Sequence, residues 1–356
     1  MFSRARNLSE LPLINSSDPS FELELHRRRA FYIDNASHLP DDLADFEAAV
    51  NASRASPEPD EAYLASFQRR LRNSCNEAAV VQGVMPKLVP IDSLLDNETL
   101  VTVPNQQWDK ECGLRVPPSA QYRIPPPKPD QTIGLAASVF SAYETALAYL
   151  AHKARPIKCL PSLAFPLVTV EAKGDRGQNV CRSQSLHNAA VMLHQLLRLW
   201  EDTNAEGELF YKSLVCTISI TTQTCAVSHF WMVPGANGTV SVYGRLFKSW
   251  TLNLQEAIGL SSIVTCIRNA IDFTIKRGTK LITERLEALE AMTIYTPPSS
   301  CCSPSCRKRR SSDRDSYKCF YSSSPEPEDT PLRKKVRITS SQSRRWGRRR
   351  SSGSST

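Results

Sequence analysis

Apolar residues recur along this chain in two periods, and their succession lays out an α/β (α+β) order. Residues 1–38 mix charges, Ser and Pro without a sustained period, so they are expected to be mobile, with order beginning near Leu39. Leu43, Phe46, Ala49 and Val50 then follow Pro40-Asp41-Asp42 at helical spacing. The acids fall in the first turn, where the helix dipole favours them. Tyr63, Phe67 and Leu71 predict a second helix from Pro59 to about Val81. Leu100-Val101-Thr102-Val103 and Gln131-Thr132-Ile133-Gly134-Leu135 read as short strands. Before the latter, Ile124-Pro125-Pro126-Pro127-Lys128-Pro129-Asp130 enforces an extended approach and forbids a helix. Val139, Tyr143, Leu147 and Leu150 align on an Ala-rich helix over 136–151.

The most informative run is Phe165-Pro166-Leu167-Val168-Thr169-Val170-Glu171-Ala172-Lys173-Gly174. Its apolar and β-branched stretch predicts a buried strand. Side chains alternate across a strand, so Glu171 and Lys173 leave one face and Ala172 the other. After the polar turn Asp175-Arg176-Gly177-Gln178-Asn179, Leu186, Ala189, Leu193, Leu197 and Trp200 set the core stripe of a helix from about Arg182 to Trp200. Three β segments follow, at 213–222, 224–234 and 239–247, the last two joined by Gly235-Ala236-Asn237-Gly238, a hairpin turn by composition. Asn253 and Glu256 form a capping-box pattern before a helix through Ile258, Ile267 and Ile271. A further helix runs from Thr279 to Met292. The whole order fits a central sheet flanked by helices.

Charge changes the picture of domain organisation. Residues 297–356 hold 15 of the 44 Lys+Arg and 5 of the 36 Asp+Glu, so the tail carries +10 and the first 296 residues −2. The overall +8 therefore belongs to the tail and does not make the folded part a uniformly basic nucleic-acid binder. Its Ser- and Pro-rich composition cannot bury enough surface to offset ordering entropy, which gives three segments: a mobile 1–38, a domain over 39–296 and a disordered basic tail over 297–356. Arg307-Lys308-Arg309-Arg310 and Leu332-Arg333-Lys334-Lys335-Val336-Arg337 suit a nuclear import receptor or salt-dependent phosphate binding, with import the first reading. Neither a signal peptide nor an apolar run of roughly eighteen residues is present, so an intracellular, nuclear protein without membrane contact is expected. Eleven irregularly spaced cysteines then read as buried thiols. The Cys301, Cys302, Cys306 and Cys319 spacing matches no common zinc pair, and His187 and His194 lack companion ligands.

Glu171-X-Lys173 alone is explained well enough by a strand-end ion pair. Joined to Pro129-Asp130, it gives the pattern PD...E-X-K. Two carboxylates on neighbouring strands suit a hard divalent cation, and a nearby ammonium can orient water and offset charge on phosphoryl oxygens. The arrangement resembles the PD-(D/E)XK nuclease superfamily, and within it a large, mainly fungal group of uncharacterised domains. The likeness rests on Lys128-Pro129-Asp130, Gly134, the run from Phe165 to Lys173, a polar helix start containing Gln184, and Ile267-Arg268-Asn269-Ala270-Ile271-Asp272-Phe273. It spans roughly residues 60–295. The resemblance implies a restriction-endonuclease-like mixed sheet, Asp130, Glu171 and the Ala172 carbonyl as ligands of Mg²⁺ or Mn²⁺, Lys173 as the catalytic ammonium and Gln184 as an accessory group. It further implies phosphodiester hydrolysis on DNA or RNA. The alternative is a catalytically inactive module of the same fold that binds nucleic acid or protein, with the tail supplying localisation.

Overall fold

The computed structural model describes residues 11–33, 38–54, 60–74, 76–89, 98–110, 113–114, 116–150, 162–175, 177–252 and 257–295. Among them, seven strands form one mixed sheet in the order β1-β7-β6-β5-β4-β3-β2, flanked by helices. In chain order the elements are α1 (Ser20–Arg27), β1 (Ala30–Tyr32), α2 (Leu43–Asn51) and α3 (Glu61–Asn73). Next come Glu77–Ala79, Val80–Val84 and Met85–Leu88, which follow one another without a gap as α4, the middle part π-helical. They are followed by β2 (Leu100–Pro104), β3 (Gln131–Ala136), α5 (Glu144–Tyr149), β4 (Leu163–Ala172), α6 (Gln178–Asp202) and α7 (Glu206–Leu209). β5 (Val215–Ile220), β6 (Thr224–Pro234), β7 (Val240–Thr251) and α8 (Ala257–Tyr295) complete the fold.

β4 is the spine. All ten of its residues are buried, and it pairs antiparallel with β3 and parallel with β5. A buried proline in so central a strand removes a ladder donor, which normally argues against such a position. Here Pro166 lies opposite Gly134, beside a register shift between Ile133 and Gly134, and before the pairing with β5 starts at Val168. The glycine has a steric cause as well. A Cβ on Gly134 would sit 2.3 Å from the Phe165 carbonyl oxygen and 2.7 Å from Pro166 Cα. Phe165 stacks edge-on against Phe140, while Leu167 fills the notch left by Gly278 on α8.

Several expectations are corrected at element ends. Order does not wait for Leu39: α1 buries Phe21, Glu24 and Leu25, and β1 adds to the sheet by pairing parallel with β7. The helix expected from Pro59 to Val81 is two: Asp60 caps the start of α3 through the Tyr63 N–H, α3 ends at its C-cap Ser74, and Asn76 starts α4 through the Ala79 N–H. The stretch 136–151 starts inside β3, passes through a 3₁₀ segment at Ala137–Tyr143 and becomes α-helical only at Glu144. Conversely, the two C-terminal helices are one, with Gly278 inside it and Thr279 Oγ1 bonding back to the Ile275 carbonyl at 2.8 Å. The β6–β7 turn is as composition predicts, with Asn237 and Gly238 both left-handed. The capping box at Asn253 and Glu256 lies outside the described residues, as do the tail and Cys301, Cys302, Cys306 and Cys319.

α6 shows why period alone undersells a central helix. Its predicted stripe is buried, but so are 16 of its 25 residues, His187, Asn188 and Gln195 among them. A helix packed on β4 and β5 and also touched by α1 and α8 has little solvent face left.

Candidate functional site

The site is built where β4 leaves the sheet. Because Pro129 has no N–H and ends the extended approach, Asp130 stands one residue before β3, beyond its last paired residue, Gln131. There its Oδ2 accepts the Ala172 N–H at 2.8 Å, so a side chain supplies the acceptor where the β3–β4 ladder stops. Lys173 prolongs β4 by one bond, donating its backbone N–H to the Ile220 carbonyl at 2.9 Å. The two residues thereby face each other, with Lys173 Nζ 3.8 Å from Asp130 Oδ2.

Glu171 lies deepest, 1% exposed. Its Oε1 accepts a 2.5 Å bond from Asn188 Nδ2 on α6, while Oε2 is buried without a protein partner. Burial, and then the neighbouring Asp130 charge, push its carboxyl up to about 8, against the opposing pull of Lys173 and Asn188. Asp130 moves the same way, burial again outweighing the Ala172 N–H and Lys173. Burial works against the charged Lys173, but Glu171, Glu77 and Asp130 together hold its ammonium above the ordinary lysine range. Cys181 touches the same corner, its Sγ 3.7 Å from the Glu171 carbonyl, and burial raises its thiol.

Two participants were not foreseen from sequence. Glu77, in the first turn of α4, binds Lys173 Nζ at 2.9 Å through Oε1. Nothing local marks it, since its role depends on α4 being brought beside the end of β4. Asn188 was within reach of inference, because it lies four residues from Gln184 and shares its helix face. Gln184 itself goes elsewhere: its Nε2 donates to Ser16 Oγ at 2.9 Å. Thus Asp130, Glu171 and Lys173 are brought together, and Gln184 is tied instead to Ser16, ahead of α1.

The turn from β4 to α6 fixes the lysine stem. Gly177 packs against it so closely that a Cβ there would lie 2.2 Å from Lys173 Cβ. The Gly177 N–H returns to the Gly174 carbonyl at 3.0 Å, closing the turn.

The donor set suits a hard cation. Two carboxylates lie within electrostatic reach of each other at the end of β4, and Glu171 has an unpartnered oxygen and a proton affinity raised by burial and then by Asp130, a charge load that a divalent ion would offset. Among the described residues, no group of three or more His, Cys, Asp or Glu side chains is arranged to hold a metal; the carboxylates gathered around Lys173 at the end of β4 are Asp130, Glu171 and Glu77. A small set of protein ligands is what Mg²⁺, which retains water, tolerates.

No curated protein matches the chain. A family profile does, over residues 63–286, a span that contains Glu77, Asp130, Glu171, Lys173 and Asn188 and leaves out α1 and β1. By that match, the chain belongs to the family of the domain of unknown function DUF7924.

Proposed function

We propose that this domain is a metal-dependent nuclease-like enzyme of the PD-(D/E)XK type that hydrolyses phosphodiester bonds of nucleic acid, and that its basic tail directs it to the nucleus. The observation that carries the reading is the meeting of Asp130, Glu171 and Lys173 at one end of β4, with a buried Glu171 oxygen left unpartnered. Asp130, Glu171 and the Ala172 carbonyl would hold Mg²⁺ or Mn²⁺, which when bound makes a water more acidic and polarises a phosphodiester. The chain's own groups do the rest. Asn188 fixes the Glu171 carboxylate through Oε1 and leaves Oε2 for a ligand. Lys173, its stem clamped by Gly177, offers an ammonium to a phosphoryl oxygen as negative charge grows there.

The test is cleavage of single- and double-stranded DNA and RNA by the purified chain with Mg²⁺ or Mn²⁺, beside Lys173→Ala. The variant should lose cutting by at least about a hundredfold while keeping its circular dichroism and its metal-induced stabilisation. Cutting that survives the substitution removes this mechanism. A second reading, a binding module of the same fold without catalysis, is favoured by the 2.9 Å bridge that commits Lys173 to Glu77. It predicts retention of nucleic acid by a parent protein that cuts nothing with either ion, and no gain from Glu77→Gln. If the bridge merely restrains an active lysine, Glu77→Gln alters the rate.

A further inference from the structure

At the far end of α6 from Asn188 lies a pocket of about 360 Å³ with a different chemistry. Arg27, Arg28, Arg29, His194, Arg198 and Glu201 supply its polar wall, while Leu114, Val116, Pro117 and Leu197 supply an apolar one. The volume is within the range of small-ligand sites, roughly 300–1,000 Å³.

The charges do not balance. Arg27 and Arg28 share one buried carboxylate, Glu24, which Arg27 reaches at 3.0 Å and Arg28 through a short bond. Among the described residues, counting the four arginines against Glu24 and Glu201 leaves a surplus of two positive charges. The α1 C-terminus contributes only about half a negative charge. Arg28, with 1% of its side chain exposed, spends one terminal nitrogen on the Tyr122 carbonyl at 3.0 Å, yet its buried Nε–H has no protein partner. Burial, and Arg27 beside it, lower its hold on the proton, although Glu24 opposes this.

Backbone conformation adds an independent observation. Arg29 follows α1 with φ of 61°, the left-handed region where glycine is the usual helix-ending residue. An arginine costs something there, and such strain persists at positions where the side chain is needed. Its backbone is anchored on both sides, the N–H to the His26 carbonyl at 2.9 Å and the carbonyl to the Val242 N–H at 2.7 Å.

We propose that this pocket binds a phosphate dianion, free or as the monoester of a ligand up to mononucleotide size, with Arg29 and Arg198 as its principal cationic contacts. Two negative charges match the surplus, a phosphate offers acceptors for guanidinium forks, and the apolar wall accommodates a ring carried by the phosphate. The site does not depend on the nuclease reading.

Calorimetric titration of the full chain at fixed ionic strength tests it with inorganic phosphate, AMP and adenosine. Phosphate and AMP should bind saturably and adenosine should not, and AMP binding more tightly than phosphate identifies the monoester as the source. Arg198→Gln and Arg29→Gly should each weaken binding by about tenfold. Arg29→Gly relieves the left-handed strain, so a melting temperature that does not fall separates lost binding from lost folding. Absence of saturable binding by both anions, or variants that bind as the parent does, overturns the proposal. So does an affinity for 5′-phosphorylated oligonucleotides that climbs with length, which would make the surface a strand-binding one.

Discussion

Glu171 links the stability of the fold to the chemistry of the site. Its carboxyl titrates near 8 in the folded chain against an ordinary 4.5, so the folded state holds the proton more tightly than the unfolded one. The sign follows directly: the stability tied to this proton is complete below pH 4.5 and is lost as pH rises through 8. Between pH 6.5 and 8 alone the loss is about 2 kcal/mol. His187 and His229, buried and pulled down to about 3, act oppositely, lowering stability as pH falls through their ordinary 6.5. Across the window from pH 6.5 to 8.5 Glu171 shares its downward trend with Asp130 and, toward the upper end, with the buried thiols that burial raises from 9.0, so its own part is read from the difference between the parent and Glu171→Gln. In metal-free buffer the melting temperature of the parent should fall across this window, and Glu171→Gln, which can still accept from Asn188, should flatten the curve and be the more stable protein at pH 8. Added Mg²⁺ should stabilise the parent more at pH 8.5 than at 6.5 and leave the variant unmoved. A parent curve without slope would mean that Glu171 is not the strained group geometry makes it. Gly177 is tested at the same scale: Gly177→Ala meets Lys173 Cβ, not a yielding side-chain tip, and should cost about 1–3 kcal/mol while displacing the ammonium. Reduced cutting with undiminished Mg²⁺ stabilisation would be its signature.

At the scale of elements, the β3–β4 pair decides whether the site exists at all, because Asp130 is aimed by the register that sets Gln131 opposite Val170. The Gly134–Pro166 irregularity lies upstream in the same ladder. Gly134→Ala would place a methyl against backbone that cannot swing aside, so the expected cost is about 2–4 kcal/mol in chemical denaturation, with Mg²⁺ stabilisation weakened as Asp130 shifts. A change below about 0.5 kcal/mol would show that the bulge is freely adjustable. Much of this pair was legible in the sequence. The apolar run into Glu171 marked a buried strand, period two put Glu171 and Lys173 together, and the prolines before Asp130 marked where β3 begins. What could not be read was contact made by packing distant elements. Glu77 falls within the single helix that the apolar stripe predicts to about Val81, because the Asn76 cap that divides α3 from α4 is a weaker signal than the stripe running past it. The helix boundary expected at Thr279 is absent as well: Gly278 lies within α8, packed closely on Leu167.

For the whole molecule, the question is where the cooperative unit begins. Composition puts that boundary near Leu39 and the family match starts at residue 63, yet the sheet includes β1 and the outer surface of α6 is closed by α1. Several ties cross the boundary. β1 covers the β7 edge, with the Ile33 N–H bonded to the Gly244 carbonyl at 2.9 Å. Phe21 lies edge-on to His187 at 5.6 Å, and Arg28 ties Glu24 to the loop at Tyr122. Burial of Phe21 and Leu25 alone is worth about 1.5–3 kcal/mol each, a large part of the roughly 5–15 kcal/mol that holds a domain together. A fragment starting at Leu39 should therefore melt well below one starting at Leu11, both ending at residue 295. It should also self-associate on a sizing column, since an uncovered β7 edge offers unpaired backbone groups to a second chain. Loss of Phe21 opens His187 to water, so this histidine should recover a titration toward its ordinary range, visible by NMR in the shorter fragment alone. Equal melting of the two fragments would confine the cooperative unit to the family-matched span and make α1 and β1 an addition that only closes the arginine pocket.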